Sequence, residues 1–497
     1  MQESYVLGID IGTGSVKAVA LTSKGNVLHS GQIFYTNTNT AKTEQDTGLV
    51  WEAFQQNIRD AIAYIQAPPF AIGLSSAMHS VLAVDENGQP LTNAVLWSDT
   101  RSTEIAQNLR GMPLGEQLYL ATGTPVHSMS PLCKIRWWKE ADPALFARAH
   151  KFISIKEAIW HRLFGEYAVD YSLATATGLF NHQQLQWDDA ALLFAGISSE
   201  KLSRPVPVTH QKSGLSAETA GRLGIPPSTP FFIGGSDGCL ANLGSFCLSP
   251  AEAAITIGTS AAVRITSKSP VQKPAQMIFN YLLEEGTYVS GGAVNNGGNV
   301  FQWLLKNLFA GHGTVNTYEG LFQVIASVPA GSNGLLFLPY LHGERAPIWD
   351  EKSCGVYFGL TASHGLAQMA RAAAEGVAFA LGQILSLLEE SCGPVTQLRV
   401  SGGLVEAGAV MQLLADSTGK EVVVQQTEDA SAIGAALLVL KKTGLIDDYN
   451  AIRPMTGRVY LPNPAARAVY KDLFPLYQSL YPLLKDSMHT ISQRQNL

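Results

Sequence analysis

One short string occurs twice in this 497-residue chain, and any fold has to account for both copies. The first copy reads Ile11-Gly12-Thr13-Gly14-Ser15-Val16-Lys17-Ala18-Val19-Ala20-Leu21-Thr22-Ser23-Lys24 and follows an apolar run, residues 5–10, that ends in Asp10. The second reads Ile257-Gly258-Thr259-Ser260-Ala261-Ala262-Val263-Arg264-Ile265-Thr266-Ser267-Lys268. Each is a strand, a tight turn of glycine and hydroxyl residues, and a second strand. Lys24-Gly25-Asn26 then marks a turn and residues 27–33 a third strand, completing an antiparallel meander. Two hairpins can match by chance over so short a string, but the halves share more. Phe231-Phe232-Ile233-Gly234-Gly235-Ser236-Asp237-Gly238 closes the first half as a strand feeding a Gly-rich turn, and Leu398-Arg399-Val400-Ser401-Gly402-Gly403 does the same late in the second. The pattern predicts a duplicated architecture.

Between these points strand-like and helical stretches alternate, which predicts two α/β domains divided near Leu248-Ser249-Pro250, as residues 1–247 and 248–497. Residues 367–390 are apolar on most faces and predict a long, largely buried helix. The small-residue string Asp429-Ala430-Ser431-Ala432-Ile433-Gly434-Ala435-Ala436 predicts a helix start suited to close packing against a neighbour or a ligand. The tail beyond about Leu484 is polar, the pattern of a loosely held terminus.

Apolar residues make up 46% and charged residues 15%, the balance of a globular chain. A formal net charge of -6 argues against nonspecific binding to nucleic acid or to an anionic membrane. No run of about 18 apolar residues predicts a membrane span, and the acidic start Met1-Gln2-Glu3-Ser4 is unlike a signal peptide. The five cysteines are scattered without a CxxC pair and the eleven histidines without an HExxH spacing, as expected of reduced core thiols in a cytoplasmic protein.

The two Gly-Thr turns suit a polyphosphate, because successive backbone N–H groups at a tight turn form an anion-binding concavity. Asp10 stands just before the first turn, where a carboxylate either binds magnesium or caps the turn. Asp237 follows a strand and is flanked by glycines, a place for a general base or for an ordinary turn aspartate. Spacing leaves those two readings level.

The order of further motifs carries a resemblance. Trp97-Ser98-Asp99-Thr100-Arg101, Gly235-Ser236-Asp237-Gly238, Thr256-Ile257-Gly258-Thr259-Ser260, Gly343-Glu344-Arg345-Ala346-Pro347, Phe358-Gly359-Leu360-Thr361, Arg371-Ala372-Ala373-Ala374-Glu375-Gly376 and Ser401-Gly402-Gly403 together resemble the FGGY carbohydrate kinases, from Gly8 to about Gly444. The resemblance implies an α/β fold of two ribonuclease-H-like domains, of the actin and hexokinase superfamily, around a central cleft. It implies ATP and Mg²⁺ as cofactors, with nucleotide mainly on the second domain and sugar mainly on the first. It makes Asp237 the catalytic base, breaking the tie, and Asp10 the acid near magnesium. Thr13, Gly14 and Ser15 match the first phosphate turn, Gly258 and Thr259 the second. Gly298 and Gln302 fall where relatives contact nucleotide, and Gly402 and Gly403 match the turn beside adenosine. Ala407 stands where relatives often carry Asn or Ser, which loosens the expectation of ATP over other nucleotides. Homodimers are common in the family, though no residue read from the sequence marks an interface.

By the same resemblance Ala77, Met78 and His79 fall in the sugar-binding stretch. His79 either bonds a substrate hydroxyl or is a satisfied structural histidine. Asp99 and Arg101 either form a structural ion pair or line the same pocket. The stretches at 122–132, 155–157, 170–176 and 291–298 look more like gluconate kinases than xylulose kinases. The expected substrate is therefore a sugar acid, gluconate before xylulose or another polyol. An ATP-driven switch without enzymatic activity is the reading from another class, against which Asp237 and the sugar-side motifs speak. A sugar acid requires something to offset its carboxylate, for which His127, Lys134 and Lys156 are candidates.

Overall fold

The first hairpin shows how the sheet is seeded. In the computed structural model, which describes residues 3–35, 43–311, 315–425, 429–452 and 456–495, strand β1 (Tyr5–Ile11) is buried along its length except at Asp10. It pairs antiparallel with β2 (Ser15–Thr22), which pairs antiparallel with β3 (Val27–Phe34). On its other edge β1 lies parallel to β4 (Ala71–Ser76). With β5 (Gln211–Lys212) and β6 (Phe231–Ser236), the order across the sheet is β5-β6-β4-β1-β2-β3. The near-continuous apolar runs of β1, β4 and β6 are those of parallel strands covered on both faces. Met1 and Gln2 of the acidic start lie outside the described residues.

The second copy builds the same plan. Strands β7 (Glu252–Ile257), β8 (Ala261–Ser267), β9 (Thr287–Val294), β10 (Gln397–Ser401), β11 (Glu421–Gln425) and β12 (Thr456–Tyr460) follow the order β9-β8-β7-β10-β11-β12. As in the first unit, a hairpin's first strand, β7, is flanked by parallel strands, here β10 and then β11. Ile257 faces Ala261 where Ile11 faces Val16, so the second turn is one residue shorter.

The chain packs as two compact units, residues 1–246, 267–289 and 429–454 forming one and 247–266, 290–428 and 455–497 the other. The division expected at 247/248 sits beside the first crossing. The units nevertheless differ from two continuous segments, because residues 267–289 and 429–454 pack with the first unit. The helix Ala430–Lys442 explains the second return: its small residues lie against the first unit's glycines. A Cβ on Gly8 of β1 would meet the Ala432 carbonyl oxygen at 1.9 Å, and one on Gly73 of β4 the Ala435 oxygen at 2.6 Å. Gly244 and Gly434 interlock this helix with the helix Asp237–Gly244: a Cβ on either would lie 2.0 Å from Ala430 O and 1.9 Å from Leu240 O, respectively. The close packing read from the string at 429–436 is thus against neighbouring backbone.

Two other expectations concern helices. The helix expected at 367–390 is Leu366–Cys392, long and apolar enough to cross a membrane, with 78% of its apolar window buried within the fold. The polar tail differs from expectation: the helix Pro464–Gln495 runs through it, Met488 is buried, and His489 Nε2 lies 2.7 Å from Asp350 Oδ2. Burial at one position per turn and a side-chain hydrogen bond suffice to order a polar surface helix.

Gly434→Ala is expected to lower stability by about 3 kcal/mol, since the new methyl must displace backbone. Gly221, exposed in the helix Ala217–Leu223 with nothing within 4 Å of its Cβ position, should tolerate Ala or gain about 0.5 kcal/mol. Chemical denaturation of both variants measures the contrast.

Candidate active site

Strand register brings the two acids to one place. Asp10 and Ile11 pair with Ser75 and Ser76, and Gly235 and Ser236 pair with the same two serines from the other side. Asp10 and Asp237 therefore lie at the carboxyl ends of the two parallel strands that flank β4, where open α/β sheets bind ligands. Asp237 is the first residue of the helix Asp237–Gly244, whose N-cap Ser236 accepts the Cys239 N–H. Ser172 Oγ donates to Ser236 Oγ at 2.7 Å and accepts the Ser236 N–H at 3.0 Å. Burial pushes the Asp10 carboxyl up to about 7, and the charge of Asp237 adds to the rise. A hydrogen bond from Ser75 Oγ, 2.6 Å away, and the Lys17 charge oppose it. Lys17 itself is paired with Asp429 at 2.6 Å.

The first turn is braced by its neighbours. Gly12 N donates to Ser15 O at 2.9 Å, Gln32 Nε2 to Ser15 Oγ at 2.9 Å, and Trp97 Nε1 to Thr13 Oγ1 at 3.2 Å. Gln45 Nε2 donates to the carbonyls of Gly12 and Thr13. Gly14 has nothing within 4 Å of its Cβ position, so the tip of the turn is open.

Beyond β4, Ala77 N donates to Ile11 O at 2.9 Å, placing the 77–79 segment beside the turn. Ala77 and His79 are buried and Met78 is half-buried. His79 takes a left-handed backbone, φ 65°. Its Nδ1 lies 2.7 Å from Ala176 O, which only accepts, so Nδ1 carries the proton and Nε2 accepts from Tyr281 Oη at 3.3 Å. Both ring nitrogens have protein partners, the geometry of a satisfied structural histidine. Asp99 and Arg101 form a bidentate pair at 2.7 and 3.0 Å, extended by Glu44 to Arg101 at 2.6 Å. Burial pushes the Asp99 carboxyl up, but the Arg101 and Thr43 hydrogen bonds outweigh it and hold Asp99 below its ordinary range.

The two candidate lysines are both inside the fold. Lys156 pairs with Asp170 at 2.6 Å and donates to Gly235 O at 2.8 Å, two residues before Asp237. Lys134 donates to His79 O at 2.9 Å and Leu96 O at 2.6 Å. His127 is half-buried, and its Nδ1 accepts the Met129 N–H at 3.1 Å.

In the second unit a cleft of about 900 Å³ opens beside the second turn, within the size range of small-molecule sites. Gly258, Thr259, Gly298, Gln302, Gly403 and Ala407 line it. Gly402 shapes the turn beneath, with φ 104° and its Cβ position 2.4 Å from Ile257 O. Gly298 N donates to Gly258 O at 2.8 Å and Asn299 N to Thr259 O at 3.1 Å, so the helix Gly298–Trp303 is seated on the turn. Buried Glu344 holds the preceding segment, accepting from Asn296 Nδ2 at 3.0 Å and from the Asn295 N–H. Burial pushes its carboxyl up to about 7, against those hydrogen bonds. Sequence reading missed Tyr318 and Phe322 in the cleft wall. Their i,i+4 spacing on the helix Tyr318–Ser327, capped by Thr317, was the available signal.

Among the described residues no cluster of three or more His, Cys, Asp or Glu forms a metal cage. The residues fit magnesium in its other mode, one or two carboxylates with the remaining ligands from water and phosphate. An Asp10 carboxyl pushed up first by burial and then by the charge of Asp237 is the imbalance that a divalent cation offsets.

A duplicated sheet with acids at the strand ends of one unit and a cleft under a Gly-Thr turn in the other is the architecture of actin- and hexokinase-like kinases. The models of the FGGY family of carbohydrate kinases match residues 5–244 with the N-terminal domain and 253–441 with the C-terminal domain. The chain belongs to that family. It is 40% identical to a gluconokinase of Bacillus licheniformis, over 99% of this chain and 98% of that protein. Among solved structures, a gluconate kinase from Lactobacillus acidophilus superposes with a TM-score of 0.93 at 33% identity, covering 98% of this chain and 99% of the other. A ligand-bound xylulose kinase from the same organism gives 0.93 and 33%, covering 98% and 100%.

A carboxyl whose folded pKa exceeds its unfolded one costs stability once the pH passes the unfolded value, here 3.8, and the cost grows until about 7. Asp10→Asn removes this cost. In metal-free buffer it should stabilise the protein more at pH 8 than at pH 5, by at least about 1 kcal/mol. Equal gains at both pH values in denaturant titrations would show that Asp10 bears no such charge pressure.

Proposed function

We propose that this carbohydrate kinase transfers the γ-phosphoryl group of ATP to the terminal hydroxyl of gluconate, giving 6-phosphogluconate. The observation that carries the reading is the placement of Asp10 and Asp237 at the ends of the two strands that flank β4, close enough for one charge to raise the other's pKa. Asp237 is the general base: it accepts the proton of the attacking hydroxyl as that oxygen bonds phosphorus, and the bridging oxygen leaves with the electron pair on ADP. Asp10 would hold magnesium, which when bound supplies positive charge to the phosphates. The Thr13-Gly14-Ser15 turn, with its open tip, and the Gly258-Thr259 turn are suited to the phosphate oxygens. The cleft lined by Gln302, Tyr318, Phe322 and Gly403 is suited to the nucleoside.

Gluconate is favoured by the 40% identity to a gluconokinase over nearly the whole chain and by the gluconate-kinase-like stretches at 122–132 and 291–298. Of the three candidates for its carboxylate, Lys134 and Lys156 are committed to carbonyls and to Asp170. Xylulose is the second reading, favoured by the equal structural match to a xylulose kinase.

Asp237→Ala should lower kcat at least about a hundredfold with ADP affinity little changed, as read by coupled ADP release and calorimetry. A folded variant with near-normal turnover would refute the base. ADP release across gluconate, xylulose, ribulose and glycerol should give the highest kcat/KM with gluconate. A higher value with xylulose would replace the substrate and leave the base in place.

A further inference from the structure

Lys134 is an expensive residue that the reaction outlined above does not use. It lies on the helix Pro131–Ala141 and is 0% exposed. A buried ammonium costs several kcal/mol unless its hydrogens are satisfied, and among the described residues no carboxylate pairs with it. Its partners are backbone carbonyls: Leu96 O at 2.6 Å, His79 O at 2.9 Å and, at the limit of contact, Val95 O at 3.5 Å. Carbonyl oxygens only accept, so this arrangement matches the three N–H donors of the ammonium ion. Burial, aided by the Arg101 charge, pushes its pKa down to about 7, against the opposing influence of Asp99 and Cys133.

The carbonyls it gathers belong to two segments distant in sequence. His79 ends the 77–79 segment in a left-handed backbone that few non-glycine residues adopt. Leu96 O also accepts the Asp99 N–H at 3.1 Å, and so carries the turn that presents Asp99 and Arg101. The next residue, Trp97, donates to Thr13 of the first phosphate turn. One ammonium therefore fixes both the segment that the family resemblance places at the sugar and the turn that carries the Asp99–Arg101 pair, and the second of them touches the phosphate turn.

We infer that Lys134 is a positioning residue for the acceptor pocket, an internal cation that clamps the 77–79 segment to the 95–101 turn. The inference rests on the functional reading only in taking those segments as the acceptor side. Lys134→Met keeps the aliphatic stem and removes the three donors. Hydrogen exchange on the unliganded variant should quicken in peptides covering 77–81 and 95–102 and stay unchanged in those covering 256–260. With whichever compound wild type phosphorylates best, KM should rise about tenfold, while kcat stays within about threefold and ADP affinity is unaltered. Unchanged exchange in both segments, or a parallel loss of KM, kcat and ADP binding, would overturn the inference. If Lys134→Met fails to fold, Lys134→Gln carries the same comparison with a smaller effect in the same direction. A wild type that phosphorylates no carbohydrate would sink the functional reading, and the exchange measurement would still decide the clamp.

Discussion

Two carboxylates held within reach of each other's charge, at the ends of the two parallel strands that flank β4, are the constraint on which the rest of the first unit depends. Left to themselves Asp10 and Asp237 would separate, because burial and mutual repulsion both oppose their charge. They stay because each is the last element of a rigid series. Asp10 is fixed by the β1–β4 register and the Ser75 hydrogen bond. Asp237 is fixed by the β4–β6 register, by Ser172 on Ser236, and by Lys156 on the Gly235 carbonyl. The strain is the kind found at functional sites, where stability is lower than the packing alone would permit.

The same sheet plan serves different ends in the two units. In the first, the longer turn leaves Gly14 open beside two acids. In the second, the shorter turn uses its carbonyls to seat the helix Gly298–Trp303, and the neighbouring space becomes a largely apolar cleft walled by Tyr318 and Phe322. A duplicated fold has thus diverged in the chemistry at its strand ends, charge and hydroxyl contacts on one side and nucleoside-sized volume on the other.

Much of this was legible in the residues. The repeated Ile-Gly-Thr string gave both hairpins, and the apolar run at 367–390 gave the longest core helix, because local patterning determines both. The assignment of the helix Ala430–Lys442 to the first unit was not legible, since no local signal tells which of two sheets a small-residue helix will pack on; the contacts of Gly8, Gly73 and Gly244 decide it. Lys134 and Lys156 were read as candidates for a substrate carboxylate. Their actual burial among carbonyls and Asp170 depends on long-range contacts that spacing does not encode. His79 kept two readings in sequence, and only the placement of Ala176 and Tyr281 on either side of its ring shows it satisfied.

A base at Asp237 acting directly on the substrate hydroxyl allows no phosphorylated enzyme between ATP and product. The stereochemistry at phosphorus tests this most directly, using ATP made chiral at the γ-phosphorus with oxygen isotopes and gluconate as acceptor. A single in-line displacement predicts inversion of configuration in 6-phosphogluconate. Retention would mean two successive displacements through a protein nucleophile, and would contradict the account.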